Sequence, residues 1–405
     1  MTQRRLPRLN EVRALIGASD PERTSLQRRL ARCASVADVR ALARRRVPRA
    51  VFDYTDGAAM GESSLRRARQ TFRRVEFTPR VLRDVSEVDT STVILGESST
   101  MPLALAPTGF TRMMHHSGEI AVATVAASSG VPYSLSTLGT TSIEDLAAGS
   151  PTTRRWFQLY VTRERSQAED LMERAAANGF DTLVLTVDTA VGGIRYREVR
   201  NGLTIPPQLS VGTLAEMATH PRWWWNALTT EPLTFASLES TDGTVGDLLT
   251  RVLDPGITGD DVAWIRSHWS GRIVVKGIQS VEDARLVADL GVDALVLSNH
   301  GGRQADLGTV PLELLPAVVD AVGERLQIGI DGGIMSGTDI VAAVAFGADF
   351  VLVGRAYLYG LMAGGEDGVE RVLEILTKEI RTTMQLIGVR SISELRDAGV
   401  RLRAT

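Results

Sequence analysis

Short runs of apolar residues alternate with longer, helix-like stretches over much of the chain. The apolar runs are continuous rather than interrupted by polar residues, which is typical of strands buried on both faces of a sheet. Eight such runs occur, at residues 102–107, 132–136, 156–160, 182–187, 272–277, 294–298, 327–331 and 350–354. Helix-like stretches that end in glycine, as helix C termini often do, lie at residues 118–130, 168–179, 281–291 and 337–347.

This alternation predicts an α/β fold in which helices cover a parallel sheet, and eight repeats favour a closed (β/α)8 TIM barrel over an open sheet. We expect the barrel domain at residues 34–395, between a partly helical N-terminal arm at 1–33 and a C-terminal tail at 396–405. The interval between the fourth and fifth runs is too long for the repeat. It predicts an insertion at about residues 190–260, which contains the aromatic segment HPRWWWNALTTEP at 220–232.

The composition narrows the possible functions. The chain has 405 residues and a formal net charge of −3, which argues against a dedicated nucleic-acid-binding protein. Its single cysteine, Cys33, leaves neither a disulfide framework nor a cysteine metal site. No apolar run approaches the roughly 20 residues that span a bilayer, and the N-terminal residues lack the apolar core of a secretory signal. We therefore expect a cytoplasmic protein without a bound metal.

Polar residues and glycines end every predicted strand, and in a (β/α)8 barrel that end carries the active site. In chain order they are Pro107, Thr108, Gly109, Ser136, Gln158, Tyr160, Thr186, Asp188, Lys276, Ser298, His300, Arg303, Asp331, Gly332, Gly333, Gly354 and Arg355. The chain has only two lysines against 43 arginines, yet Lys276 closes an apolar strand. Because a buried lysine without a partner is costly, an anionic or electron-rich ligand explains Lys276 better than a structural salt bridge does.

The segment LSNHGGRQ at 297–304 places a base and a cation in one turn. A carboxylate beside an imidazole favours the protonated ring and fixes its orientation, and Asp188 is available from another strand end. The pattern therefore predicts that His300 is a general base and that Arg303 holds a substrate carboxylate through paired hydrogen bonds.

The last two predicted strands lead into the glycine-rich turns DGGIMSG (331–337) and VGRA (353–356). Turns at these two strands form the usual phosphate site of such barrels, where backbone N–H groups and a helix N terminus meet the anion. Arg355 would add a positive charge. Together with Lys276 and His300, the turns indicate a phosphate-bearing cofactor with a small anionic substrate above it.

The residues named so far resemble the FMN-dependent α-hydroxy-acid oxidases and dehydrogenases. The motif SNHGGRQ at 298–304 is highly specific for that family. Supporting motifs are FDYTDGAA (52–59), APTGFTRMMHHSGE (106–119), SLSTLGTTSIED (134–145), WFQLY (156–160), TVDT (186–189) and VVKG (274–277). The loop GGIRYREVRNG (192–202) and the segment GRAYLYGLMAGGE (354–366) are most similar to the branch of bacterial L-lactate dehydrogenases that pass electrons to a quinone or cytochrome.

The resemblance implies a role for each site residue. His300 would take a proton from the substrate, supported by Asp188. The residues that contact the substrate would be Tyr54, Tyr160, Arg195, His300 and Arg303. Lys276 would face the flavin N1/O2 edge, where negative charge collects on reduction. The other FMN-binding residues would be Pro107, Thr108, Gly109, Ser136, Gln158 and Thr186 at the ring, and Ser298, Asp331, Gly332, Gly333, Gly354 and Arg355 at the ribityl chain and phosphate.

The chain departs from the family pattern at two places. Many relatives carry an arginine after the DGG turn to bind phosphate, but this chain has Met335 there. Phosphate binding would then depend more on Arg355 and on backbone amides. Three residues, Gly109, Leu138 and Gly192, stand where some short-chain oxidases have bulkier groups, which implies a roomier substrate pocket.

The resemblance implies oxidation of an L-2-hydroxy acid, with L-lactate as the expected substrate and a quinone or similar molecule as the electron acceptor. An oxidase that makes peroxide, a dehydrogenase for a larger mandelate-like acid, and a flavin-binding barrel without turnover stay open as alternatives. Family members are commonly tetramers. The RWWW segment at 222–225 is compatible with core packing, a subunit contact or a peripheral contact with the inner face of the cell membrane.

Overall fold

The computed structural model describes residues 24–201, 218–238 and 253–404. Its strands are β1 (Val75–Thr78), β2 (Thr92–Ile94), β3 (Glu97–Ser99), β4 (Leu103–Leu105), β5 (Tyr133–Ser136), β6 (Arg155–Leu159), β7 (Phe180–Thr186), β8 (Arg272–Ile278), β9 (Ala294–Leu297), β10 (Gln327–Ile330), β11 (Phe350–Val353) and β12 (Gly399–Leu402). The helices before the insertion are α1 (Ser25–Ala31), α2 (Val36–Ala43), α3 (Arg49–Asp56), α4 (Ser63–Arg73), α5 (Thr111–Met114), α6 (Gly118–Ser128), α7 (Ile143–Gly149) and α8 (Arg165–Ala177). The later helices are α9 (Tyr196–Asn201), α10 (Pro221–Thr229), α11 (Gly259–His268), α12 (Val281–Asp289), α13 (Pro311–Val322), α14 (Gly337–Ala345), α15 (Arg355–Gly364) and α16 (Glu366–Ile387).

Strands β4 to β11 form a closed parallel barrel in chain order, and β11 pairs with β4 to close it. The predicted (β/α)8 barrel is thereby confirmed. Continuous apolar runs suit these strands because both faces are covered: all four residues of β9, for example, are buried. The predicted strand bounds agree with the observed ones to within two residues.

The hairpin β2–β3 closes the N-terminal end of the barrel. Ile94 and Leu95 belong to the same buried cluster as the inward-facing Trp156 and Phe350. The Leu95 backbone N–H also donates to the Gln327 side chain at 2.7 Å, at the start of β10. Since described residues fill this end, we expect ligands at the opposite end, where the strands terminate.

The described parts of the expected arm and tail contain one α-helix and one strand. Within the arm at 1–33, residues 1–23 lie outside the described part, and α1 packs against α15 and α16. Within the expected tail at 396–405, β12 pairs antiparallel with β1, with Val75 opposite Leu402. The two short strands were missed because neither shows the continuous apolar pattern of a barrel strand.

The insertion at about 190–260 is described in part, since residues 202–217 and 239–252 lie outside the described ranges. Its helix α10 carries the tryptophan cluster. Trp224 is buried, and the Trp223 indole N–H donates to the Met113 carbonyl at 3.1 Å, while Trp225 is 70% exposed. Among the described helices, none combines the length and apolar character that a bilayer span requires.

Candidate active site

A cavity of about 900 Å³ opens at the C-terminal end of the barrel. It is lined by strand-end residues from several strands and by α3, α4 and the loop that follows β7. The predicted site residues that line it are Tyr54, Pro107, Thr108, Gly109, Ser136, Tyr160, Arg195, Lys276, His300, Arg303, Asp331, Gly332, Gly333, Gly354 and Arg355. We call this cavity the barrel mouth.

Lys276 is buried at the centre of the barrel mouth. Its Nζ lies 3.0 Å from an Asp331 carboxylate oxygen and donates to the Ser298 hydroxyl at 2.9 Å. Burial by itself lowers the pKa of Lys276, but the charges of Asp331 and Asp188 more than offset this, so its pKa lies above the ordinary value. Lys276 therefore takes part in a salt bridge and also presents a fixed positive charge to the cavity.

Several buried polar atoms at the strand ends lack a partner within the described part of the chain. They are the Gln158 amide nitrogen, the Thr186 hydroxyl and one carboxylate oxygen of Asp331. The Ser136 hydroxyl donates to the amide oxygen of Gln158 at 3.0 Å. This bond fixes the orientation of the amide, whose nitrogen has no partner among the described residues. Buried polar groups are nearly always hydrogen-bonded, so we expect a bound ligand to supply the missing partners. A flat heterocycle with polar edges, such as a flavin, could do so.

His300 and Asp188 form the pair that the sequence predicted. His300 Nδ1 lies 2.9 Å from Asp188 Oδ1. Burial raises the pKa of Asp188, but the charges of His300 and Lys276 outweigh it and hold that pKa below the usual value. An ionised Asp188 accepts from Nδ1, which leaves His300 Nε2 as the nitrogen that can accept a proton.

The backbone around His300 explains the glycines of the motif. His300 has a left-handed φ of 56°, and Gly301 and Gly302 follow with φ of 62° and 77°. On β8, a side chain at Gly277 would lie 2.8 Å from Asp188, so this glycine lets the carboxylate approach the ring. The glycines therefore position the His300–Asp188 pair.

Two arginines lie together beside His300. The Arg303 guanidinium lies over the Tyr54 ring, 4.8 Å from its centroid, and donates to the Tyr54 carbonyl. Burial, together with the charge of Arg195, lowers the pKa of Arg303 to about 10. Burial also raises the pKa of Tyr160, so that its hydroxyl keeps its proton at neutral pH.

Glu198 is a site residue that sequence reasoning missed. Its carboxylate lies 3.1 Å from Arg303 and 3.3 Å from Arg195, so it bridges the two guanidinium groups. A signal was present, because Glu198 follows Arg195 by three residues in a helix-like stretch, which puts the two on one face. A substrate carboxylate that enters the site therefore encounters two arginines that are already paired with the carboxylate of Glu198.

The glycine-rich turns form the other end of the barrel mouth. Gly332 and Gly333 have φ of 86° and 84°, so their N–H groups adopt orientations that ordinary residues rarely reach. Arg355 donates to the carbonyls of Thr55, Gly301 and Gly57 at 2.9, 2.8 and 2.7 Å. Its guanidinium therefore fixes the walls of the cavity in addition to bringing a charge to it.

Helix α4 supplies cations that the sequence reading also missed. Arg66, Arg69 and Arg73 line the same end of the cavity as Met335. Arg69 donates to the Gly333 carbonyl and to Asp339, the latter at 2.7 Å. Their spacing of three and four residues puts them on one face of the helix, which places positive charge close to the position where relatives carry the arginine that Met335 replaces.

Comparisons with known proteins agree with this geometry. The model of a family described as FMN-dependent dehydrogenase matches residues 43–402. A Mycobacterium tuberculosis chain, named provisionally as an L-lactate dehydrogenase, is 53% identical over 97% of this chain and 95% of its own length. A Caulobacter vibrioides L-lactate dehydrogenase is 42% identical over 90% and 96%. The solved structure of a monotopic membrane protein, (S)-mandelate dehydrogenase, matches 92% of this chain and 100% of that one at 37% identity, with a TM-score of 0.87.

Proposed function

Because the chain belongs to the FMN-dependent dehydrogenase family and is thus an FMN-dependent α-hydroxy-acid oxidoreductase, we propose that it oxidises L-lactate to pyruvate and passes the electrons to a quinone. The observation that carries this proposal is the position of His300, paired with Asp188 and adjacent to two partly buried arginines. A base beside a carboxylate-binding pair is what a 2-hydroxy acid needs, since its reacting carbon is bonded to the carboxylate.

The substrate is held by Arg195 and Arg303, which bind its carboxylate in a partly buried site where charge-assisted hydrogen bonds are strong. Tyr54 and Tyr160 hydrogen-bond its oxygens. Burial raises the pKa of both phenols, so each hydroxyl can donate. These contacts orient the hydroxyl-bearing carbon toward His300.

His300 removes a proton from the bound acid, and Nε2 is the atom that accepts it. Asp188 stabilises the imidazolium that forms, because its ionised carboxylate lies 2.9 Å from Nδ1. FMN would supply the acceptor for the two electrons and for the second hydrogen that the acid loses. The keto acid then leaves the arginines.

The cofactor is held along the strand ends. Ser136, Gln158, Thr186 and the Pro107–Gly109 backbone would hold the ring, and Lys276 would supply a positive charge that stabilises the reduced flavin. The ribityl chain and phosphate fit the residues at the last strands, namely Ser298, Asp331, Gly332, Gly333, Gly354 and Arg355. The unpartnered atoms of Gln158, Thr186 and Asp331 support this placement.

A larger, mandelate-like acid is the second candidate substrate. It is favoured by the likeness to the mandelate enzymes and by the small residues Gly109 and Gly192, which line the cavity with Leu138. A methyl group added at Gly109 would lie 3.1 Å from Leu138 Cβ, so this glycine also serves close packing. Lactate is preferred because the more identical relatives carry that name.

We propose that the enzyme is cytoplasmic and tetrameric. Because a quinone lies in the membrane, we also propose that the enzyme contacts the inner face of the cell membrane peripherally. The exposed Trp225 and Leu228 on α10 and the likeness to a monotopic membrane protein support the contact. Aromatic side chains are favoured at the membrane interface because their rings are amphipathic.

Anaerobic titration of the bound flavin with lactate, mandelate and longer 2-hydroxy acids tests the substrate. We expect lactate to bleach the flavin fastest. If none of the acids bleaches it, the chain is a flavin-binding barrel without turnover. Stopped-flow mixing of the reduced enzyme with oxygen tests the acceptor, and rapid reoxidation would establish an oxidase instead.

A further inference from the structure

A second cavity, of about 650 Å³, lies outside the barrel mouth. It is formed where α1 and the end of α2 meet the corner between α5 and α6 and one face of α10. Its lining includes six arginines, namely Arg29, Arg32, Arg45, Arg46, Arg112 and Arg222, against the two acids Asp38 and Glu231. We call it the arginine cleft.

The cations of the arginine cleft lack counterions within the described ranges. Arg46 and Arg222, like the neighbouring Arg29, form no ion pair and no side-chain hydrogen bond there. Arg112 donates to the carbonyl of Glu231 at 2.8 Å. The Asp38 carboxylate is already used, because it accepts from the backbone N–H groups of Ala34 and Ser35 at 3.0 Å at the start of α2.

The cleft holds these charges close together. Burial lowers the pKa of Arg46, and the charges of Arg222 and Arg29 lower it further. Burial, His116 and Arg46 together lower the pKa of His115 to about 4. Helix dipoles at the ends of α1 and α2 account for exposed arginines, but they do not account for a half-buried one that faces two others.

The floor of the cleft is apolar. It contains Met114 and Met362, and Trp223 forms one wall. On the opposite, outer face of α10, Trp225 is 70% exposed and Leu228 is 66% exposed. An anionic head group with an apolar tail matches this combination of cationic rim, apolar floor and exposed aromatic neighbour better than a purely polar anion does.

We propose that the arginine cleft binds the phosphate head group of an anionic phospholipid while Trp225 and Leu228 enter the apolar layer beside it. This deepens the membrane contact of the proposed function and rests on it for its orientation toward a quinone. The apolar floor argues against nucleic acid, which would need an open cationic surface.

Co-sedimentation of the FMN-loaded full chain with vesicles tests the proposal. The two vesicle types are phosphatidylcholine alone and phosphatidylcholine with phosphatidylglycerol. The test variant is Arg46→Gln/Arg222→Gln. The control variant is Arg285→Gln/Arg381→Gln, which removes the same charge from two exposed arginines that line neither cavity. We expect the test variant to bind the anionic vesicles roughly 25-fold more weakly, at about fivefold for each of the two arginines near the surface, and the control to bind like the wild type.

Further arms distinguish the sources of phosphate. Trp225→Ala should weaken binding to anionic vesicles, and soluble glycerol phosphate should compete poorly. If glycerol phosphate binds as tightly as the vesicles do and Trp225→Ala has no effect, the cleft takes a free phosphate ester and the lipid assignment is overturned. Equal vesicle binding by the two arginine variants also overturns it.

Light scattering and flavin reduction separate the remaining cases. If the Arg46→Gln/Arg222→Gln variant changes oligomeric state without changing vesicle binding, the cleft is an interface between copies of the chain, and the proposal is overturned. Flavin reduction by lactate should be unchanged in this variant. If vesicle binding behaves as expected but lactate never reduces the flavin of the wild type, the lipid site stands and the proposed reaction fails.

Discussion

The barrel mouth and the arginine cleft both contain arginine and histidine side chains. In the mouth these side chains form ion pairs, whereas in the cleft they have no counterions among the described residues. In the mouth, His300 is paired with Asp188, and Arg195 and Arg303 share Glu198. In the cleft, His115 contacts the Ser117 hydroxyl at 2.7 Å, and burial and its charged neighbours His116 and Arg46 disfavour its protonation. Internal partners fix the direction of each group before a small substrate arrives, whereas an uncompensated cluster favours an anion from outside.

Substitution of the mouth histidine should give the largest effect. We expect His300→Gln to slow flavin reduction by lactate by about 10³-fold, because proton transfer by a positioned base contributes roughly that much. Anaerobic stopped-flow absorbance measures the rate.

The matched control is His115→Gln in the arginine cleft. Lactate should reduce the flavin of this variant at the wild-type rate. Retention of FMN by both variants shows that the fold is intact. A His300→Gln enzyme that reduces as fast as the control would remove His300 from the proton-transfer step.

The next largest difference should be the effect of arginine substitutions in the two regions on KM for lactate. Arg303→Met should raise KM for lactate by about 30-fold or more, since a charge-assisted hydrogen bond to a carboxylate is worth roughly 2–3 kcal/mol. Arg222→Met in the cleft is the control and should leave KM unchanged. Steady-state kinetics with a soluble dye as acceptor measures both, and a similar KM for the two variants would contradict the assignment of the carboxylate site.

His115 of the arginine cleft should make stability depend on pH. The pKa of His115 is about 4 in the folded protein, below its ordinary value of 6.5, so the unfolded chain binds the proton more tightly. Stability is therefore lost as pH falls below 6.5. The free energy of unfolding should fall by about 1.36 kcal/mol for each pH unit below 6.5, as long as the pH stays above the folded pKa. Between about pH 7 and about pH 5 the loss should therefore be about 2 kcal/mol.

Chemical denaturation of wild type and His115→Gln at the two pH values measures this loss. The variant should lose less stability than the wild type by that amount. Anionic vesicles should reduce the wild-type loss, because an anion in the cleft favours the protonated imidazole. An equal loss in both proteins would place the acid-sensitive group elsewhere.

The smallest expected effect concerns Glu198. Because its carboxylate competes with the substrate for both arginines, Glu198→Gln should lower KM for lactate by about threefold to tenfold, the range of a partly buried ion pair. Glu198 also raises the pKa of Arg303.

Because burial and Arg195 lower the pKa of Arg303 to about 10 and Glu198 raises it, loss of this carboxylate should move the alkaline limb of kcat/KM to lower pH. The pH profile is a readout that a purely structural role would leave in place. A higher KM with an unchanged alkaline limb would mean that Glu198 only positions the arginines.

The sequence predicted the barrel well because each barrel strand is a continuous apolar run between glycine-ended helices. The strand-end residues followed from that, since parallel strands deliver their last side chains to one end. Glu198 was missed because its role depends on a contact with Arg303, which lies more than a hundred residues away in the chain. The arginine cleft was missed for the same reason, because α1, α5 and α10 meet only in the folded protein.

Some predictions were limited by local signals. Arg355 was read as a cation for phosphate, yet three of its donors are used by backbone carbonyls of α3, the loop after it and the His300 turn. No pattern in one stretch of sequence could indicate those acceptors. Strand β12 was not predicted, because residues 399–402 alternate between apolar and polar positions only briefly.

The pairing of β1 with β12 has a consequence for synthesis. Residues 75–78 leave the ribosome long before their partners at 399–402 are made. The barrel likewise closes only when β11 reaches β4. Contacts of such high sequence separation form late, so apolar strands of the nascent chain stay exposed to aggregation until their distant partners have been made.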